Sequence, residues 1–96
     1  MSSRNRKRFE IKPNTWWDAR TFLAGVILAV LIQFRNADRN GHPARYRSNE
    51  AWSEDLDAMI AGFRLIADDD VPEAAELAVI AHALDLFARC FRELWD

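Results

Sequence analysis

Residues 77–95 read LAVIAHALDLFARCFRELW, and the spacing of their large apolar side chains decides the fold class. Large apolar residues recur every three or four positions, which places them on one face of a helix; they are Leu77, Ile80, Leu84, Phe87, Phe91 and Leu94. We therefore predict a core helix. Because its apolar face continues almost to the last residue of the sequence, we expect this end of the chain to be docked rather than frayed.

A first helix is predicted from about Trp16 to Asn36, with Asn14 or Thr15 as its cap and with Thr15 and Asp18 at the spacing of a capping box. Residues 22–32 are the longest apolar run in the chain. This run is too short to cross a bilayer, because a spanning helix needs about 20 apolar residues. We expect no membrane role.

The second helix is predicted to begin after Ser48, a preferred N-cap residue, following a loop that contains the turn residues 40–43. Its apolar seam alternates spacings of four and three: Trp52, Leu56, Met59, Phe63 and Ile66. Asp70 and Glu73 predict a capping box for the third helix, which runs to about Trp95. Since short connections make successive helices alternate in direction, the sequence predicts an all-α fold, an antiparallel three-helix bundle.

Positive and negative charges are divided between the two halves of the chain. Up to Arg47 there are ten basic and three acidic residues, a net charge of +7, and from Ser48 there are three basic and twelve acidic residues, a net charge of −9. Residues 1–12 form a predicted flexible basic arm, and residues 13–96 form a single helical domain. In the predicted bundle this arm lies beside an acidic corner, residues 68–70, so we expect much of its charge to be satisfied within the protein.

Two groups of residues are candidates for binding. Trp16 and Trp17 point about 100° apart on a helix, so one of the two indoles lies outside the helix seam. Together with Phe22, Val26 and Val30 they predict a protein interface and a homo-oligomer. The alternative is that the spare indole stacks on a nucleotide or nucleic-acid base while the arm holds phosphate; the candidate contacts are Arg4, Arg6, Lys7, Arg8 and Lys12.

The sequence offers no catalytic or metal site. His42 lies in the loop, and His82 and Cys90 lie on different faces of the third helix. His82 is more than two helical turns from Cys90, so the thiol has no base in reach. A single cysteine without a cleavable signal sequence fits a reducing cytoplasm. We predict a non-enzymatic protein that uses no cofactor.

Several short motifs resemble those of a known family when they are taken in order. They are a Trp near the start of the first helix, the loop Gly41-His42-Pro43, the seam WxxxLxxMxxxF at 52–63 and the terminal LFxxxFxxLWD at 86–96. Over roughly residues 16–96 the combination resembles a family of small, uncharacterised proteins encoded by tailed bacteriophages. The resemblance implies a phage origin and no particular activity.

Three functions follow as hypotheses. The leading one is a small phage accessory protein that binds a host or phage macromolecule without catalysis, as a homo-oligomer, in the cytoplasm of the bacterial host. The second is a nucleotide or nucleic-acid binder that uses the basic arm with Trp16 or Trp17. The third is a structural component of the virion.

Overall fold

The computed structural model describes residues 18–37, 41–68 and 70–94. These ranges contain three α-helices, and a single 3₁₀ turn at Phe91–Glu93 follows the last of them; the helices are α1 (Ala19–Asn36), α2 (Asn49–Ala67) and α3 (Ala74–Cys90). No strand occurs within the described ranges. The predicted all-α fold with three helices is confirmed.

Helix α2 is the centre of the fold. Helices α1 and α3 each pack along α2, but they do not pack against each other. The seam of α2 supplies the interior as predicted, since four of its five members are at most 3% exposed: Trp52, Leu56, Met59 and Phe63. The flanking helices complete this core with Ala24 and Leu31 from α1 and with Leu86 and Cys90 from α3.

The prediction for the packed face of α3 is only partly correct, since Phe87 and Leu94 of the predicted seam pack against the core. The residues that α3 buries are Ala83, Leu86 and Cys90, whereas Leu77 and Leu84 of the predicted seam are about half exposed. Gly62 of α2 lies against Ala83. Only a small residue of α3 fits where the two helices approach each other this closely. Because Ala83 faces α2, the side chain of Leu84, about 100° further around the helix, points away from α2.

The caps of α2 and α3 differ in how well the sequence predicts them. Ser48 caps α2 as predicted, with its Oγ accepting a hydrogen bond from the Ala51 N–H at 3.1 Å. The predicted box of Asp70 and Glu73 is wrong, because Glu73 is itself the N-cap and forms a capping box with Glu76. Pro72 accounts for the difference, since the residue before a proline is disfavoured in the helical region and α3 cannot begin at position 71.

The ends of the outer helices were predicted less well than their centres. Helix α1 ends at Asn36 as predicted, while its N-cap Asp18 makes no capping hydrogen bond through its side chain. The regular part of α3 ends at Cys90, five residues before the predicted end. The predicted helix start at Thr15 and Trp16, and the predicted end at Trp95, lie outside the described residues.

Candidate functional site

A groove runs between α1 and α3, with α2 as its floor. Its first half has a volume of about 350 Å³. Helix α1 contributes Leu23 and Ile27, α2 contributes Phe63 and Ile66, and α3 contributes Leu77, Ile80 and Leu84. We call the whole groove, of which this is the first half, the α1–α3 groove. It exists because both outer helices pack on α2 and leave the space between them open.

The second half of the α1–α3 groove continues toward the end of α3 and has a volume of about 400 Å³. Ile27 lines both halves, so the apolar surface is continuous. Three aromatic rings lead from the core to the surface here: Phe63 and Phe87 pack edge to face with centroids 5.1 Å apart, and Phe87 and Phe91 do so at 5.3 Å. This geometry is the one that aromatic pairs prefer.

Most of the exposed large hydrophobic side chains lie in this groove. Seven such side chains are exposed among the described residues, and five of the seven line the groove: Leu23, Val30, Leu77, Leu84 and Phe91. The other two, Val71 and Val79, lie elsewhere. A concentration of exposed apolar residues on one surface is typical of a binding site rather than of scattered surface hydrophobics.

The apolar surface continues from the groove onto the outer face of α1. A shallow depression there is lined by Thr21, Phe22, Gly25, Val26, Ala29 and Val30. Val26 and Val30 also line the groove, which joins the two surfaces. A β-carbon built on Gly25 meets nothing within 4 Å, so this depression is open to an approaching molecule.

The structure brings three of the five predicted interface residues together in this depression. They are Phe22, Val26 and Val30. The other two, Trp16 and Trp17, lie outside the described residues, as do the candidate phosphate contacts of the arm: Arg4, Arg6, Lys7, Arg8 and Lys12.

The mouth of the groove, at the start of α1, carries charged residues. Arg20 and Asp70 line it directly, beside Pro72. Asp18 and Asp68 are each two residues from one of these lining positions, and both are exposed. One basic and one acidic residue therefore line the mouth.

The folded part of the chain is acidic, and several of its arginines are engaged. The described residues include seven arginines and eleven acidic residues, a net charge of −4. Arg35 pairs with Asp57 across α1 and α2 at 2.9 Å, and Arg89 pairs with Asp85 within α3. Such exposed pairs contribute at most about 1 kcal/mol each to stability. They also leave less positive charge on this surface for a phosphate ligand.

A polar cluster fastens the loop before α2 to the end of α3. Tyr46 donates a hydrogen bond from its hydroxyl to Oδ2 of Asp55 at 2.6 Å, and its oxygen lies 3.3 Å from Sγ of Cys90. Its ring packs on Trp52 with centroids 4.8 Å apart. Burial, and then the hydrogen bond to Asp55, raise the pKa of Tyr46 above its ordinary value. The cluster therefore keeps the Tyr46 hydroxyl protonated.

Arg45 makes the second attachment of this loop. Its Nε donates to Oε1 of Glu93 at 3.0 Å, and its Nη2 donates to the backbone carbonyl of Arg89 near the end of α3. The hydrogen bond to Glu93 raises the pKa of Arg45. The sequence does not reveal the roles of Arg45 and Tyr46, because loop residues carry no periodic signal that would link them to a helix 44 residues away.

The described residues contain no group of three His, Cys, Asp or Glu side chains that could hold a metal ion. Cys90 is 1% exposed, as expected for a packing residue, and its polar neighbour is Tyr46. His42 is exposed, with its Nδ1 3.0 Å from the carbonyl oxygen of Pro43. Cys90 and His42 therefore lie in separate environments, one in the core and one at the surface.

The length argument against a membrane role does not hold for α1 as a whole, because by length and composition alone the helix could cross a membrane. Its 18 residues have a mean hydropathy of 1.3, and 11% of them are buried in the protein. Signal sequences near the N-terminus and the core helices of soluble proteins, which are mostly buried, have the same length and composition, so one such helix is weak evidence. The packing of α1 along α2 and the Arg35–Asp57 ion pair are specific contacts between α1 and the rest of the domain.

Comparisons with protein families, curated proteins and solved structures found no match to this chain.

Proposed function

We propose that this protein is a non-enzymatic binding protein that associates with itself through the outer face of α1 and docks a macromolecular partner in the α1–α3 groove. The phage resemblance of the sequence makes it a small phage accessory protein whose partner is a host or phage macromolecule in the host cytoplasm. The observation that carries the proposal is the continuous apolar surface formed by the groove and the depression on α1.

The depression on α1 supports self-association. Its centre is formed by Gly25 and Ala29, and Phe22, Val26 and Val30 surround these small residues. Small residues let a second helix approach closely, while the larger side chains supply apolar area. Two copies that meet through this face would bury the same patch on each subunit, which is the arrangement of a two-fold dimer.

The chemistry of the groove supports a protein partner. Its lining is apolar and includes Ile27, Phe63 and Ile80, and its charged lining residues are Arg20 and Asp70. An amphipathic segment with a few apolar anchors fits this pattern. Such segments bind grooves by placing anchors at helical spacing into apolar sites.

The acidic charge of the described residues supports this function over the nucleic-acid alternative. Phosphate binding depends on unpaired cations, whereas Arg35, Arg45 and Arg89 pair with carboxylates in the folded domain. Nucleic-acid binding would therefore depend mainly on the arm.

Light scattering on wild type and on variants of the α1 face tests the proposal. At tens of micromolar, wild type should have the mass of an oligomer, and Val26→Asp or Val30→Asp should shift it to monomer. Val71→Asp is the matched control, because Val71 is 93% exposed and lies outside both apolar surfaces. A monomeric wild type would contradict the proposal. Flotation with lipid vesicles that requires Val26 and Val30 would instead assign α1 to a membrane.

A further inference from the structure

The exposed apolar residues of α3 form a regular seam. Its large members recur every seven positions and are about half exposed: Leu77 at 54%, Leu84 at 47% and Phe91 at 61%. An exposed alanine stands three positions before each of them: Ala74, Ala81 and Ala88. We call these six residues the α3 seam. Apolar residues at alternating spacings of three and four are the pattern by which one helix packs along another in a coiled coil.

The α3 seam is separate from the face of α3 that packs on α2. Helix α3 buries Ala83, Leu86 and Cys90. Ala81 and Ala83 are two residues apart, which places them about 160° apart around the helix. Helix α1 does not pack against α3. Among the described residues, therefore, no helix packs along the α3 seam.

A second copy of α3 complements the seam when the two helices run in opposite directions. Centred between residues 82 and 83, such a pair places every alanine of one seam opposite a large side chain of the other. The facing pairs are Ala74 with Phe91, Leu77 with Ala88, and Ala81 with Leu84. Alternation of large and small residues lets facing layers interdigitate, whereas a parallel pair would set alanine against alanine and leave space between the layers.

The antiparallel pair is also consistent with the symmetry and the charge of α3. Each copy presents the same surface to the other, which is the arrangement of a two-fold contact. Asp85 flanks the centre of the α3 seam, so the Asp85 side chains of two copies approach each other near the axis. Each of them pairs with Arg89 of its own chain, which offsets their repulsion.

We propose that the α3 seams of two copies pack against each other as antiparallel helices, and that this contact joins two α1-linked dimers into a tetramer. The tetramer rests on the proposed self-association through α1, whereas the pairing of α3 does not. Half of the α3 seam is alanine, so a single contact buries little apolar area and is weak on its own. Dimers linked through α1 carry two α3 seams each, which reinforces the contact.

The α3 seam shares its three large side chains with the wall of the α1–α3 groove: Leu77, Leu84 and Phe91. A partner in the groove and a paired α3 therefore exclude each other on the same copy. This consequence also rests on the proposed function.

Sedimentation equilibrium at tens of micromolar tests the contact between dimers. Wild type should have the mass of four chains, and Leu84→Asp and Ala81→Arg should each have the mass of two. Ala81 is exposed, so a charged side chain fits there without disturbing the core. His82→Asp is the matched control, because His82 is exposed on the same helix outside the α3 seam, and it should keep the mass of wild type. A tetramer whose mass Leu84→Asp and Ala81→Arg leave unchanged would overturn the proposal.

The same masses separate this proposal from the proposed self-association. A wild-type dimer that Val30→Asp converts to monomer and Ala81→Arg leaves intact would overturn the pairing of α3 and leave the α1 interface standing. A wild-type dimer with the opposite response would support the pairing of α3 and contradict the α1 interface. A monomeric wild type would overturn both.

Distances between nitroxide spin labels test the direction of the paired helices. Ala75→Cys and His82→Cys provide exposed attachment sites outside the α3 seam; the native Cys90 is buried, and labelling of wild type checks that it does not react. In the antiparallel pair the two labels are offset along the helix axis by about 23 Å at position 75 and by about 2 Å at position 82, at 1.5 Å per residue.

We therefore expect a distance component that Ala81→Arg removes and that is clearly longer at position 75 than at position 82. Components of equal length at the two positions would overturn the proposal, because they would indicate parallel helices. The absence of any component that Ala81→Arg removes would overturn it as well.

Discussion

Gly62 on α2 lies so close to Ala83 on α3 that a β-carbon at position 62 would overlap the methyl group of Ala83. The same β-carbon would lie 3.1 Å from the carbonyl oxygen of Val79. Both Gly62 and Ala83 are buried. The absence of a side chain at position 62 therefore sets the distance between the two helices and the rotation of α3.

Gly62→Ala should destabilise the protein although alanine is the better helix former. Overpacking of a tight contact costs about 1–3 kcal/mol, against a gain of about 1 kcal/mol in helix propensity. Gly25→Ala is the matched control, because its new methyl group meets nothing within 4 Å, and it should be neutral or stabilising in dilute monomer. Urea unfolding measures both. Equal stabilisation by the two substitutions would show that α2 and α3 are further apart than described.

Trp52→Ala and Phe63→Ala should each lower the free energy of unfolding by about 3–5 kcal/mol, because each removes a ring from the core. Trp52 is 1% exposed and Phe63 is 3% exposed. That loss is a large part of the stability of a small domain. Leu77→Ala, at a position 54% exposed, is the control and should cost much less. A variant of Trp52 or Phe63 that melts like wild type would remove that residue from the core.

The stability of the protein should fall in alkali because of Tyr46. Its pKa is raised in the native state, whereas a tyrosine of the unfolded chain ionises near pH ~10. Above that pH the unfolded state binds fewer protons than the native state, so unfolding becomes more favourable as pH rises. Below pH ~10 the contribution of the Tyr46 hydroxyl to the free energy of unfolding is fully present.

Tyr46→Phe isolates this effect. The variant loses the hydrogen bond to Asp55, which should cost about 1 kcal/mol at neutral pH. The difference in stability between wild type and variant should shrink as pH rises above ~10. Urea unfolding across this range measures it. A difference that stays constant with pH would contradict the environment described for Tyr46.

Deletion of residues 1–12 should not change binding to DNA, RNA or nucleotides at physiological salt. Affinity that depends on phosphate contacts falls steeply with salt concentration. We expect no such salt-dependent affinity in the intact chain. Binding that is salt-sensitive, disappears on deletion and also disappears in a folded Trp16→Ala, Trp17→Ala variant would favour the nucleic-acid alternative.

The sequence predicts α2 better than α3 for a physical reason. In α2 the large apolar residues form one stripe with polar residues opposite, so periodicity identifies the buried face. In α3 small and large apolar residues alternate around the helix, and the approach of Ala83 to Gly62 selects the small face for burial. The buried face of α3 is therefore set by a contact between residues that are distant in the sequence, and the periodicity of α3 alone does not reveal it.

The candidate site is formed in part by residues of α3 that the sequence pattern placed in the core. Leu77, Leu84 and Phe91 were predicted to lie in the core, and their exposure is what forms the groove wall on α3. The excess apolar surface of α1 was visible in the sequence, because its large apolar residues cover more than one helix face; they are Phe22, Leu23, Val26, Ile27, Val30, Leu31, Ile32 and Phe34. The opening between α1 and α3 was not, since it depends on how both helices rest on α2.

An isotope-filtered NOE experiment tests the central claim, that the apolar face of α1 binds a second copy. The sample is an equal mixture of isotope-labelled and unlabelled chains at a concentration where oligomers form. The account predicts intermolecular NOEs from the Val26 and Val30 methyl groups to the Phe22 ring of another chain, and their loss in Val30→Asp but not in Val71→Asp. Absence of intermolecular NOEs at these methyl groups in wild type would contradict the claim.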